Sequence, residues 1–156
     1  MRKLLLSTVI AAVTATGAAT GAFAQSPSDV ASARRAYFNL IGFEMATLGG
    51  MARGNIDYDA DAASQSASDL MSIASLHRAD YFAAGTSNED LAGETRALPA
   101  IWDDMDGFQE KGMAFYEAVV NLNEVAGNGL DALRPAVGQL GGTCKACHDD
   151  FRAKDF

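Results

Sequence analysis

The sequence predicts an all-α protein, a bundle of four helices, on three observations. Four long stretches carry apolar side chains at helical spacing, separated by breaks such as Gly54-Asn55 and Ala126-Gly127-Asn128-Gly129. No strand pattern precedes the C-terminal segment. That segment, the pentapeptide Cys144-Lys145-Ala146-Cys147-His148, lies on the apolar stripe of the last helix, so the bundle is expected to be a container for what the pentapeptide holds.

The N-terminus stands apart from this plan. Met1-Arg2-Lys3 supplies two cations, Leu4 to Val13 is mostly apolar, and Ala22-Phe23-Ala24 before Gln25 has the small-x-small form of a signal-peptidase site. Residues 1–24 therefore read as a removed secretory signal, too short and too interrupted by Thr14, Thr16, Gly17 and Thr20 for a membrane span. Residues 25–156 form the single domain. Without Arg2 and Lys3 the 12 basic residues fall to 10 against 20 acidic ones, a net charge near −10. Such a charge argues against nucleic acid and for a solvated surface, with a negative field toward basic partners as a weaker consequence.

The first helix is expected from Val30 to about Met51, with Pro27 and Ser28 or Asp29 as its start signals. Phe38, Ile41, Met45 and Leu48 form one stripe, and Ala36, Leu40 and Phe43 a second beside it. A helix apolar over so much of its circumference has two things to cover, the core and a second subunit. Asp59 is the expected N-cap of a second helix from Ala60 to Leu76 or His77, with a stripe of small residues that allows close approach. A histidine at such a C-terminus most often meets the dipole end and solvent. Arg78 to Leu98 lacks periodicity and reads as a long surface loop with at most one helical turn.

Pro99 favours a first helical turn and opens a third helix from about Ala100 to Val125. Ile101, Met105, Phe108, Gly112, Phe115, Val119 and Leu122 follow alternating spacings of four and three. Glycine inside a helix costs about 1 kcal/mol against alanine, so Gly112 suggests a close neighbour, either a crossing helix or the edge of a flat cofactor. Trp102 reads as a packing anchor. In the last helix Pro135 opposes an interior hydrogen bond, so an irregular first turn or a start near Arg134 is expected. Val137, Leu140, Cys144, Cys147 and Phe151 then repeat at three and four, which turns the cysteines toward the bundle.

C-x-x-C-H is the attachment signature of a c-type haem. Residues three apart on a helix have β-carbons about 5–6 Å apart, so the thiols of Cys144 and Cys147 can reach two vinyl groups on one haem edge. His148 can then swing under the macrocycle and offer a nitrogen to iron. Three other uses compete. A zinc site lacks ligands, since His77 is the only other histidine and no other cysteine exists. A redox dithiol normally accompanies a strand–helix unit, and a disulfide within one helical turn would be strained.

Signal peptide, four helices and a C-terminal C-x-x-C-H together resemble the class II c-type cytochromes, and in particular the cytochrome c′ family. Its most specific carriers are Gly141 to Arg152, Pro99-Ala100-Ile101-Trp102, and Arg34-Arg35-Ala36-Tyr37-Phe38. The resemblance implies an antiparallel four-helix bundle enclosing one haem c, bound covalently through Cys144 and Cys147, in the bacterial periplasm. It implies His148 as the axial iron ligand, Arg34 beside a haem propionate, Phe38 over the vacant distal face, and Arg152 flanking the proximal face. It implies dimerisation through the first two helices.

The sixth coordination position decides the function. High-spin members leave it open behind an apolar residue, whereas low-spin members fill it with a first-helix methionine, here Met45 or Met51. Met45 lies seven residues, about 10 Å of helix axis, beyond Phe38. The family register thus implies five-coordinate iron that binds NO and, less strongly, CO, with single-electron exchange with a redox protein as a further role. A distal catalytic pair is not evident, as His77 is the only candidate acid–base group, so the chain reads as a non-enzyme. The alternative is a low-spin electron carrier.

Overall fold

The structure is a computed structural model that describes residues 25–77 and 79–156; the expected signal segment, residues 1–24, lies outside the described residues. Among the described residues five helices follow in order: α1 Pro27–Arg53, α2 Ala60–Ser75, α3 Ala100–Asp103, α4 Met105–Val125 and α5 Leu130–Phe151. One 3₁₀ turn, Ala79–Phe82, lies in the α2–α3 connection, as the expected single helical turn.

Ends of the helices follow local chemistry. Ser26, one residue before Pro27, caps α1 in a reciprocal box: Asp29 N donates to its hydroxyl at 3.2 Å, while its own amide donates to the Asp29 carboxylate, also at 3.2 Å. Gly54 ends α1 in the left-handed region at φ 77°, a conformation glycine adopts without penalty. Asp59 caps α2 as expected, accepting from Ala62 N at 2.7 Å.

The expected third helix is two. Asp104 leaves the helical region at φ −132°, ψ 65° and its carboxylate accepts from Gly107 N at 3.0 Å, so it stops α3 and caps α4. Glycine at 107 permits this, because a β-carbon there would strike the Asp104 carboxylate. Pro99 precedes α3 rather than filling its first position. The expectation for Pro135 is also corrected. The helix starts at Leu130 and runs through it unbroken, with Pro135 on the exposed face, where the carbonyl deprived of its amide partner is open to solvent.

Cross-helix contacts fix the register. Asn121 Nδ2 donates to Gln139 Oε1 at 3.2 Å, and Lys111 pairs with Asp150 at 3.4 Å, so α4 and α5 run antiparallel. Tyr58 OH donates to Ala126 O at 3.0 Å and accepts from Gly129 N at 2.9 Å, tying the α1–α2 and α4–α5 connections together at one end. Arg134 Nε donates to Ala52 O at 3.0 Å, which sets α1 against α5.

Two hydrophobic clusters fill the interior. The larger takes Tyr37, Ile41, Leu48 and Met51 from α1, Ala63, Ala67, Leu70 and Ala74 from α2, Ala118, Val119 and Leu122 from α4, and Leu133, Ala136 and Leu140 from α5. Small side chains on α2 let it lie close, as read from the sequence. The smaller cluster, Phe82, Ala97, Ile101, Phe108 and Phe151, closes the end where α5 finishes. The second stripe of α1 stays outside: Leu40 is 52% and Phe43 69% exposed.

Candidate haem-attachment site

The last two turns of α5 carry the pentapeptide into the seam between the clusters. Cys144 packs against the larger and Cys147 against the smaller. Both thiols are free. No group of three or more metal-ligating side chains occurs among the described residues. Burial pushes the Cys144 thiol up, and burial together with the neighbouring Cys144 pushes Cys147 to about 11. The sulfurs are thus neutral at neutral pH, in surroundings that suit an uncharged thioether better than a thiolate.

His148 follows on the outer side of the helix, where Arg152 Nη1 lies 3.4 Å from its Nδ1. Desolvation lowers its pKa first, and the nearby Arg96 adds to this. The imidazole is neutral at pH 7, with a ring nitrogen lone pair for a metal. Lys145 pairs with Asp149 and Lys111 with Asp150 along the exposed edge, so local charge is balanced.

On α1 the register gives the vertical placement. With Ala52 set against Arg134 and the helices antiparallel, stepping back to Phe38 on α1 corresponds to stepping forward to His148 on α5. Met45 then falls level with Gly141, about 10 Å away along the axis, and Met51 level with Pro135, about 20 Å away. Phe38 is 44% exposed and meets the buried Tyr37 edge-on, ring centres 5.0 Å apart. Tyr37 continues to Tyr81 at 5.7 Å and His77 at 6.2 Å, His77 to Phe82 at 5.8 Å, and Phe82 through Phe108 at 4.7 Å to Phe151 at 5.3 Å. An aromatic wall thus runs from α1 to the end of α5. His77 belongs to it, rather than to a solvated helix end alone, and desolvation lowers its pKa.

Arg34 departs most from expectation. It is only 3% exposed, and all its hydrogen bonds go to protein acceptors. Nη1 donates to Tyr81 O and Thr86 Oγ1, each at 2.9 Å, and Nη2 donates to Thr86 O at 2.7 Å and Thr95 Oγ1 at 2.9 Å. The fork of donors that a propionate would take is engaged. Sequence reasoning missed Tyr81, Thr86, Thr95 and Arg96, because the polar stretch that holds them has no periodicity to assign them a partner.

Gly112 is corrected too: a β-carbon there would meet nothing within 4 Å, so no helix crosses at it. It sits one residue from Lys111, level with the end of α5, beside open space.

Comparison with known proteins shows the family. The family model described as Cytochrome C′ matches residues 29–152. The chain belongs to the cytochrome c′ family. A cytochrome c′ of Cereibacter sphaeroides is 49% identical over 154 residues, covering 99% of each chain, and a cytochrome c-554 of the same species is 36% identical over 78% of this chain and 79% of its own. Among solved structures, a cytochrome c′ from Rhodobacter spheriodes superposes with a TM-score of 0.81 at 50% identity, covering 83% of this chain and 99% of that one. A nitric oxide complex of a variant cytochrome c prime from Alcaligenes xylosoxidans superposes at 0.73 with 31% identity, over 84% of this chain and 99% of that one. The neighbours are four-helix bundles, and the family's cofactor is haem c. The donor set fits that group: two free neutral thiols three residues apart, a neutral imidazole next to them, and an aromatic wall beside the sulfurs.

Proposed function

We propose that this chain is a periplasmic c-type haem protein whose iron is five-coordinate, high-spin, and open to NO and, less strongly, CO. Bound haem supplies the metal centre that takes the gas or exchanges one electron. Cys144 and Cys147 hold it by thioethers, and His148 supplies the axial nitrogen. The observation that carries this reading is the register of α1 against α5, which brings Phe38 and neither methionine level with His148. Its half-exposed ring is the apolar surface that a macrocycle at this level would cover. A phenyl ring donates no hydrogen bond to bound oxygen, which favours NO. The nitric oxide complex of a related cytochrome c prime supports the same chemistry.

Arg152, in reach of His148 Nδ1, flanks the proximal face. Arg34 meets a propionate only through its remaining Nε and its charge, since its terminal nitrogens are engaged. The role proposed is gas binding with single-electron exchange to a redox protein, and among the described residues His77 is the one candidate acid–base group beside the aromatic wall. No described helix is long and apolar enough to cross a membrane. The exposed Leu40 and Phe43 stripe is the face of a homodimer through α1 and α2.

Absorption and magnetic spectra of the isolated ferric and ferrous holoprotein test the coordination. High-spin spectra that Met45→Leu and Met51→Leu leave unchanged are expected. A low-spin spectrum with methionine character, lost in either variant, would instead make the chain an electron carrier with a closed sixth site.

A further inference from the structure

Residues 79–98 belong to the segment that reads in the sequence as a long surface loop with at most one helical turn, yet they are fastened at two places. The first is Arg34 on α1, one turn before Phe38. Its four acceptors, Tyr81 O, Thr86 O, Thr86 Oγ1 and Thr95 Oγ1, come from both limbs of the segment, so one guanidinium draws residues 81–86 and 95 together. The hydroxyls are themselves oriented: Thr86 Oγ1 donates to Ala83 O at 2.7 Å, and Thr95 Oγ1 accepts from Ala97 N at 3.2 Å. Asn88 N donates to Ala97 O at 2.8 Å and closes the loop on itself.

The second fastening is to the end of α5, just past His148. Ala97 and Arg152 form an antiparallel bridge. Leu98 N donates to Phe151 O at 3.0 Å, Ala153 N to Arg96 O at 2.8 Å, and Arg96 Nη1 to Lys154 O at 3.1 Å. Between the fastenings, the Arg34 guanidinium lies over the Phe82 ring at 5.5 Å, and Phe82 and Ala97 belong to the cluster against which Cys147 packs.

We propose that Arg34 is a positioning residue that locks residues 79–98 as a strap joining the α1 turn of Phe38 to the α5 turn of Cys147 and His148, and that through Phe82 it sets the aromatic wall beside the Cys147 sulfur. The chemistry of the side chain carries this. A planar guanidinium can serve four acceptors arrayed around its edge, and being strongly basic it stays protonated even though burial, with Arg35 adding to it, lowers its pKa. An ammonium in its place has three donors at a point and cannot span both limbs. The role needs haem c bound at Cys147 only for the second half of the statement, and it does not depend on whether the iron binds gas.

Amide hydrogen exchange and circular dichroism in the Soret band of the mature holoprotein test it, with Arg34→Lys, Thr95→Val and the double variant. Arg34→Lys keeps the charge and loses the fork. Its expected result is exchange faster by about tenfold or more across residues 81–97, no change in α2, and an altered Soret dichroism, since that signal reads the aromatic rings around the haem. Thr95→Val gives the same pattern, smaller, and adds nothing to Arg34→Lys because it acts through the same guanidinium. Wild-type exchange and Soret dichroism in Arg34→Lys would overturn the proposal and leave Arg34 as a charge for a propionate. Exchange rising equally in α2 would overturn it as well, showing only general destabilisation. If Arg34→Lys fails to fold, unchanged protection of residues 81–97 in Thr95→Val is the overturning result.

Discussion

Gly112→Ala is the perturbation whose outcome the geometry determines most directly. The residue is exposed in the interior of α4, and a β-carbon there meets no atom within 4 Å. Replacing a helical glycine by alanine removes a penalty of about 1 kcal/mol, part of it entropy lost by the more flexible unfolded chain. With no steric cost to set against it, nearly all of that gain should appear as stability. For a domain of about 130 residues this raises Tm by about 3–5 °C. Scanning calorimetry of the holoprotein measures it, with the Soret spectrum as a control expected to stay unchanged. Gly112 lies level with the end of α5, so a cofactor held by Cys144 and Cys147 is a group that could approach its backbone. A lowered Tm with a displaced Soret band would refute the reasoning and show that a porphyrin edge occupies the space.

Three further outcomes follow from the geometry. Phe43→Asp, placing a charge on the most exposed ring of α1, should convert the proposed dimer to monomer in light scattering; burying one such ring on each of two symmetric copies is worth about 3 kcal/mol or more, over a hundredfold in Kd. Asp104→Ala should cost about 1 kcal/mol in denaturant unfolding, because the Gly107 amide loses its cap. Desolvation lowers the native pKa of His77 below its ordinary 6.5, so the unfolded chain binds the proton more readily; stability is therefore complete above about pH 6.5 and is lost as pH falls from there through the lower native value. His77→Gln should flatten the fall in Tm between pH 7 and 5, and an unchanged slope would show that other groups cause it.

The helices were legible because their signals are local. Pro27 and Asp59 at starts, Gly54 at an end, and three–four spacing between them need no knowledge of the tertiary fold, although the cap of α1 is Ser26 and not the expected Ser28 or Asp29, and the helix begins at Pro27 rather than Val30. The break at Asp104 was missed because the apolar stripe continues across it in perfect spacing. Periodicity reports the buried face and is blind to a capping side chain that interrupts the backbone. Pro135 misled in the opposite way, since its penalty depends on whether water can reach the freed carbonyl, which a sequence does not record. At the site, Cys144, Cys147 and His148 could be singled out because their chemistry is written in one pentapeptide. Arg34 could be located but its partners could not: carbonyls of residues 81 and 86 and two threonine hydroxyls carry no pattern, and they lie 47 to 61 positions away.

The first helix shows why a bundle of this kind requires something beyond its own chain. Tyr37, Ile41 and Leu48 are buried by the other helices, but Phe38, Leu40 and Phe43 are left in water on two further faces. Fully burying a side chain of this size is worth about 1.5–3 kcal/mol, so three exposed together forgo several kcal/mol, an appreciable part of a small domain's net stability. The two faces call for different covers. Phe38 stands level with the neutral sulfurs and imidazole of α5, beside an aromatic wall, where a flat apolar cofactor meets side chains on every edge. Phe43 lies five residues on, about 140° around the helix, on the face proposed to meet a second copy of the chain. Mutating one face should therefore change the haem spectrum and leave the mass intact, and mutating the other should do the reverse.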